Sequence, residues 1–192
     1  MIEKNWKSLI NTEIIEIKNH DNNPFLATVN VEPLERGFGV TIGNALRRVL
    51  LSSLQGTAIT GMQVQGVLHE FSTIPGVIED VTDIVLNVKG ITLKMDVEGP
   101  KRLRLNINGP AKVTADMIEL TAGFEIMNPE HHICTLDKGA KLEVEFIVEN
   151  GKGYIPANSN NQDEMPIGLI PIDALFSPIK KVPYRVDNTR VG

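Results

Sequence analysis

Cysteine is nearly missing from this 192-residue sequence, which holds only Cys134. A single thiol closes no internal disulfide, and with no C-x2-C pair there is no zinc-ribbon spacing, so a reducing compartment is expected. Aromatic residues are scarce too, at 5% of the chain, which leaves little from which to build a base-stacking platform. Basic charge is in deficit: 19 Lys plus Arg stand against 24 Asp plus Glu, a formal net charge of −5. Holding a polyanion by counterion release needs a basic face. Direct DNA binding is therefore not expected, and the small cluster Lys101, Arg102 and Arg104 has no interleaved aromatics to change that. No apolar run approaches the roughly 20 residues of a membrane span, and residues 1–9 contain no apolar signal segment. The expectation is a cytoplasmic protein with no membrane partner.

What is present is mostly extended structure. Residues 28–32 and 91–98 alternate apolar and polar side chains, the period that places neighbours on opposite faces of a sheet. Leu142, Val144, Phe146 and Val148 alternate with Lys141, Glu143 and Glu145, so residues 141–148 form a strand with one wet face. Residues 103–107 and 111–115 flank Asn108-Gly109-Pro110, which predicts a turn joining two strands. Two segments have helical period instead. Residues 42–54 carry Ile42, Ala45, Leu46, Val49 and Leu50 on one stripe, and residues 77–88 carry Val77, Val81, Ile84, Val85 and Val88 with acids early. Helices this few among strands this many make an α+β chain. The polar stretch 158–164 reads as a surface loop.

Chemistry-bearing patterns are few. Residues 37–43 run Gly-Phe-Gly-Val-Thr-Ile-Gly, whose spacing is neither G-x-G-x-x-G nor a G-K-[ST] phosphate loop. A tight strand-to-helix turn, with another backbone approaching the glycines closely, accounts for the run better. His131, His132 and Cys134 lack the second ligand cluster a structural zinc needs. Cys134 and the serines sit in no nucleophile motif, and Asp163 and Glu164 lie in the polar loop, where no acid/base pair can be held rigidly. No metal, cofactor or catalytic residue is expected. On the helix at 42–54, projection at 100° per residue brings Arg47, Arg48 and Leu51 together on the face away from the apolar stripe. An apolar anchor between guanidinium groups suits a protein partner as well as it suits a solvated basic face.

The run Glu32-Pro-Leu-Glu-Arg-Gly-Phe-Gly-Val-Thr-Ile-Gly-Asn-Ala-Leu-Arg-Arg-Val-Leu-Leu-Ser-Ser, ending at Ser53, closely resembles the signature of the bacterial DNA-directed RNA polymerase alpha subunits, in their N-terminal assembly domain. Gly66-Val-Leu-His-Glu-Phe-Ser-Thr, Glu79-Asp, Leu86-Asn-Val-Lys-Gly, Gly153-Tyr-Ile-Pro-Ala, Pro166-Ile-Gly and Ser177-Pro-Ile are similar to further stretches of that family, in order. The resemblance implies a dimerisation subdomain, residues 1–55 plus 179–192, interrupted by a mostly β inserted subdomain, residues 56–178. It implies a non-catalytic scaffold. Two alpha subunits pair, and the homodimer recruits the beta and beta-prime catalytic subunits of a nucleotidyltransferase. Phe38, Ile42, Ala45, Leu46, Val49 and Leu50 fall where the family forms its dimer interface. Arg47, Arg48 and Leu51 match a large-subunit contact, and Lys89, Ile172 and Asp173 match a second. The family's assembly domain continues past the position of Gly192 into a strand and a helix, then a linker and a DNA-binding C-terminal domain. The chain is thus expected to be a fragment that dimerises poorly.

Overall fold

The computed structural model describes residues 10–157 and 166–188 of the chain. The predicted polar loop, with Asp163 and Glu164, lies outside the described residues. Contacts divide the chain into one unit of Met1–Leu50 with Lys181–Gly192 and another of Leu51–Lys180. These borders lie a few residues outside the 56–178 expected for the inserted segment.

The larger unit is built on an antiparallel sheet. Its strands are β3 (Gln55–Val64), β4 (Leu93–Met95), β5 (Lys101–Asn108), β7 (Phe124–Ile126), β9 (Lys141–Lys152) and β11 (Leu169–Pro171), in the order β5-β9-β3-β4-β7 with β11 also on β3. Strand β9 keeps the predicted alternation: Leu142, Val144, Phe146 and Val148 are buried. Register then makes the core. Phe146 stands opposite Leu103 on one side and Met62 on the other, and Val144 stands opposite Leu105 and Val64. Where β3, β4 and β9 meet, polar groups are paired as well: Thr57 Oγ1 donates to Asn150 Oδ1 at 2.6 Å, and Asn150 Nδ2 reaches Met95 O and Val97 O.

A second small sheet pairs β6 (Ala111–Thr114) with β8 (His132–Leu136). Helix α2 (Val81–Lys89) turns Val81, Ile84 and Val88 inward at i, i+3 and i+7, in the same core cluster as Val113, Ile133, Cys134 and Leu136. Residues 115–117 form a short 3-10 turn, and β10 (Tyr154–Ile155) pairs β12 (Ala174–Leu175).

Three predicted elements of this unit need correction. Strands 103–107 and 111–115 do exist, but β5 pairs β9 and β6 pairs β8, so the Asn-Gly-Pro segment passes the chain between sheets rather than closing a hairpin. Proline at the turn removes a ladder donor, which disfavours a tight hairpin there. The second helix starts at Val81, not 77. Asp80 caps it by accepting from Asp83 N–H, while Val77 bridges to Leu136 as extended chain. The strand expected over 91–98 shrinks to Leu93–Met95, since Thr92 N–H is taken by the Asn128 side chain and Asp96 N–H by Gly123 O.

The other unit holds the antiparallel pair β1 (Ile14–His20) and β2 (Asn23–Glu32), followed by helix α1 (Phe38–Ser52), which runs on to the first residues of the larger unit. The helix begins four residues before the periodicity suggested, because Gly39 and Gly43 are helical and the strand-to-helix turn expected over the glycine run is confined to Gly37 and its predecessor. Only Gly37 takes a positive φ, at 89°. Gly39 and Gly43 instead leave room for side chains: a Cβ on Gly43 would meet the Tyr184 ring at 2.6 Å, and one on Gly39 would meet Val186 at 2.9 Å. Close approach was expected, and it is made by side chains rather than by backbone.

Candidate functional site

Helix α1 has the amphipathic pattern of a surface helix, yet none of its residues is buried. Along the apolar stripe Phe38, Ala45, Leu46 and Val49 are exposed, while Ile42 and Leu50 are half-buried. Leu46 and Val49 each keep about half of their surface open, at 51% and 50%. Burial of such side chains against a partner contributes roughly 1.5–3 kcal/mol each. Away from the stripe, Arg47 and Arg48 are exposed and Leu51 is half-buried, so the three stand within one helical turn of each other, as the projection placed them.

The second group of residues is brought together from far apart in sequence. Lys89 lies in the last turn of α2, where a cation complements the helix dipole, and its Nζ pairs with Asp173 Oδ2 between β11 and β12. The Lys89 ammonium, donating to Asp173, holds that carboxyl below its ordinary range against the upward push of burial; the Asp173 backbone and the Tyr154 side chain add to the effect. Ile172, expected beside them, is 3% exposed and belongs to the core. Its alternation with Asp173 in extended chain turns the two side chains opposite ways, so the surface here is made of Lys89 and Asp173, with the exposed Tyr154 at its edge. Tyr154 stands in one of the family-like motifs, but nothing in its sequence context ties it to a residue of β12's neighbourhood.

The other chemistry-bearing residues are occupied structurally. His132 Nε2 contacts Glu79 Oε1 at 2.9 Å, and His131 Nε2 contacts Asn87 O at 2.8 Å. Cys134 is buried, and desolvation, with the Glu79 charge nearby, pushes its thiol up to about 12. A thiol held that high is protonated and unreactive at neutral pH. Arg102 and Arg104 both bridge to Glu145 on the neighbouring strand. An open cleft lined by Gln55, Glu98, Glu149 and Asn150 is acidic, and its Asn150 side chain is committed to the strand crossing. Among the described residues no group of His, Cys, Asp or Glu is arranged to hold a metal ion, and no helix is long and apolar enough to cross a membrane.

The geometry therefore singles out two surfaces, the solvent-open helix α1 and the Lys89–Asp173 pair beside Tyr154. Residues 61–177, the larger part of the chain, match the model of a family described as the RNA polymerase Rpb3/RpoA insert domain. That span covers the β-rich unit almost from end to end.

Proposed function

The chain belongs to the RNA polymerase Rpb3/RpoA insert-domain family, and from that premise we propose that it is a non-catalytic assembly subunit of the bacterial type: it pairs with a second copy of itself and recruits the beta and beta-prime subunits for DNA-templated transcription. The observation that carries the reading is the uncovered stripe of α1. A fifteen-residue amphipathic helix with no buried residue has an apolar face in need of a partner. A second copy supplies the same stripe across a two-fold axis. Arg47, Arg48 and Leu51, on the helix's other side, face the first large-subunit contact in this reading, and Lys89 with Asp173 the second. Such a division of one helix between two partners explains why both faces stay out of the protein's own core. Cytoplasmic residence accords with this role.

Two measurements test it. Because this chain is expected to pair only weakly, Leu46→Glu should turn its weak, concentration-dependent self-association in sedimentation velocity into a monomer boundary at every concentration, and it costs the monomer little because Leu46 is half open to solvent. Arg47→Ala and Arg48→Ala should each weaken retention of the large subunits by about 1–3 kcal/mol, as arginines central to interfaces do. Unchanged self-association in the first variant, or wild-type retention in both arginine variants, would remove the corresponding surface from the reading.

A further inference from the structure

The backbone that carries Lys89 out of α2 is tied down by two side chains of the segment 128–131, Asn128 and His131. Asn87 Nδ2 donates to Ile133 O at 2.9 Å. Asn87 O accepts both Gly90 N–H at 2.9 Å and the His131 ring at 2.8 Å. Asn128 Nδ2 donates to Gly90 O at 2.9 Å, and Asn128 Oδ1 accepts Thr92 N–H at 2.7 Å. His131 presses on the same turn, since a Cβ on Gly90 would lie 2.6 Å from its Nε2. Asn128 is itself anchored, its carbonyl accepting His131 N–H at 3.0 Å. Helix ends commonly satisfy their last carbonyls with water or a local turn. Here a local turn through Gly90 and Ile91 does so, and two side chains from outside the helix are added to it, His131 on Asn87 O and Asn128 on Gly90 O, so that Lys89 sits inside the collar they make.

We propose that Asn128 and His131 are positioning residues for the Lys89–Asp173 contact, fixing residues 87–92 so that the Lys89 ammonium is presented beside Asp173 to a large catalytic subunit. A lysine has a long, flexible stem, and an interface gains when the freedom of that stem is removed before the partner arrives. Its tip is held by Asp173, and its Cα by the collar. The histidine pair that resembles no metal motif thus acquires a use: His131 locks the end of α2, while His132 meets Glu79 just before its start. The inference deepens the reading of Lys89 and Asp173 as a partner contact and rests on it.

The test uses the full chain with the beta and beta-prime subunits and compares their affinity for wild type, Lys89→Ala, Asn128→Ala and the double variant. Asn128→Ala should weaken binding several-fold, and should weaken it no further once Lys89 is gone, since a residue acting through another shows coupling of this kind. In the free chain the Thr92 amide should exchange faster while the thermal midpoint of the unit changes little. An equal, independent loss in both backgrounds would mean that Asn128 acts elsewhere, and the proposal would be overturned. Wild-type affinity for Asn128→Ala, with Lys89→Ala impaired, would overturn it as well. Lys89→Ala binding as well as wild type would instead sink the contact reading, and the positioning role with it. Should the alanine variant not fold, Asn128→Asp keeps the acceptor for Thr92 N–H, loses the donor to Gly90 O, and must show the same dependence on Lys89.

Discussion

Glu79 gathers three donors onto one carboxylate. Thr135 N–H donates to Oε2 at 2.6 Å, while Thr135 Oγ1 and His132 Nε2 lie within reach of Oε1 at 3.2 and 2.9 Å. Desolvation pushes the carboxyl upward, but the hydrogen bonds from His132 and Thr135 win, and its pKa lies below the ordinary 4.5. A carboxylate depressed in the folded state stabilises the fold fully above its unfolded value and loses that contribution as pH falls through the folded one. Glu79→Gln should therefore cost about 1.5–3 kcal/mol at neutral pH, with the gap to wild type narrowing below pH 4.5 in acid denaturation followed by circular dichroism. Cys134 gives a second residue-level expectation: with its thiol near 12 and buried, it should react with a disulfide reagent only after denaturant opens the core. Neither role was legible in the sequence. Glu79 and His132 are 53 residues apart, and a local pattern of His-His-x-Cys says nothing about a carboxylate that far upstream.

At the level of elements, period was read well and partners were not. The alternation of β9 and the stripe of α2 follow from side-chain polarity alone, which is local information. Which strand sits beside which is a tertiary matter, so the turn expected at Asn108-Gly109-Pro110 joins two strands that each pair elsewhere. The glycine run divides for the same reason: Gly37 makes the expected turn, and only the presence of Tyr184 and Val186 makes Gly43 and Gly39 useful within a helix. Gly56 offers a sharper case. A Cβ there would lie 1.8 Å from the Phe176 carbonyl oxygen, a backbone atom that cannot swing aside. Gly56→Ala should destabilise the larger unit by ~3 kcal/mol, the upper end of overpacking costs, read as a lowered midpoint in urea. The surfaces on α1 were legible from helical projection, whereas the Lys89–Asp173 pair came from family resemblance and Tyr154 came from neither.

For the whole molecule, the core cluster lies within the unit Leu51–Lys180. Expressed alone, that unit should melt cooperatively and give dispersed amide resonances; a spectrum of an unfolded chain would move its borders. Its central ladder also has a consequence for how the protein is made. Thr57 of β3 and Asn150 of β9 face each other in register but stand 93 residues apart. At the usual ~5–20 residues per second of synthesis, β3 leaves the ribosome about 5–20 s before its partner exists. Through that interval Met62, Val64 and the rest of an apolar strand have no lasting place to dock, and a strand in that condition pairs readily with a neighbouring nascent chain. Crowded polysomes are therefore where this fold is most exposed to loss, in the first seconds of its synthesis rather than in the folded chain.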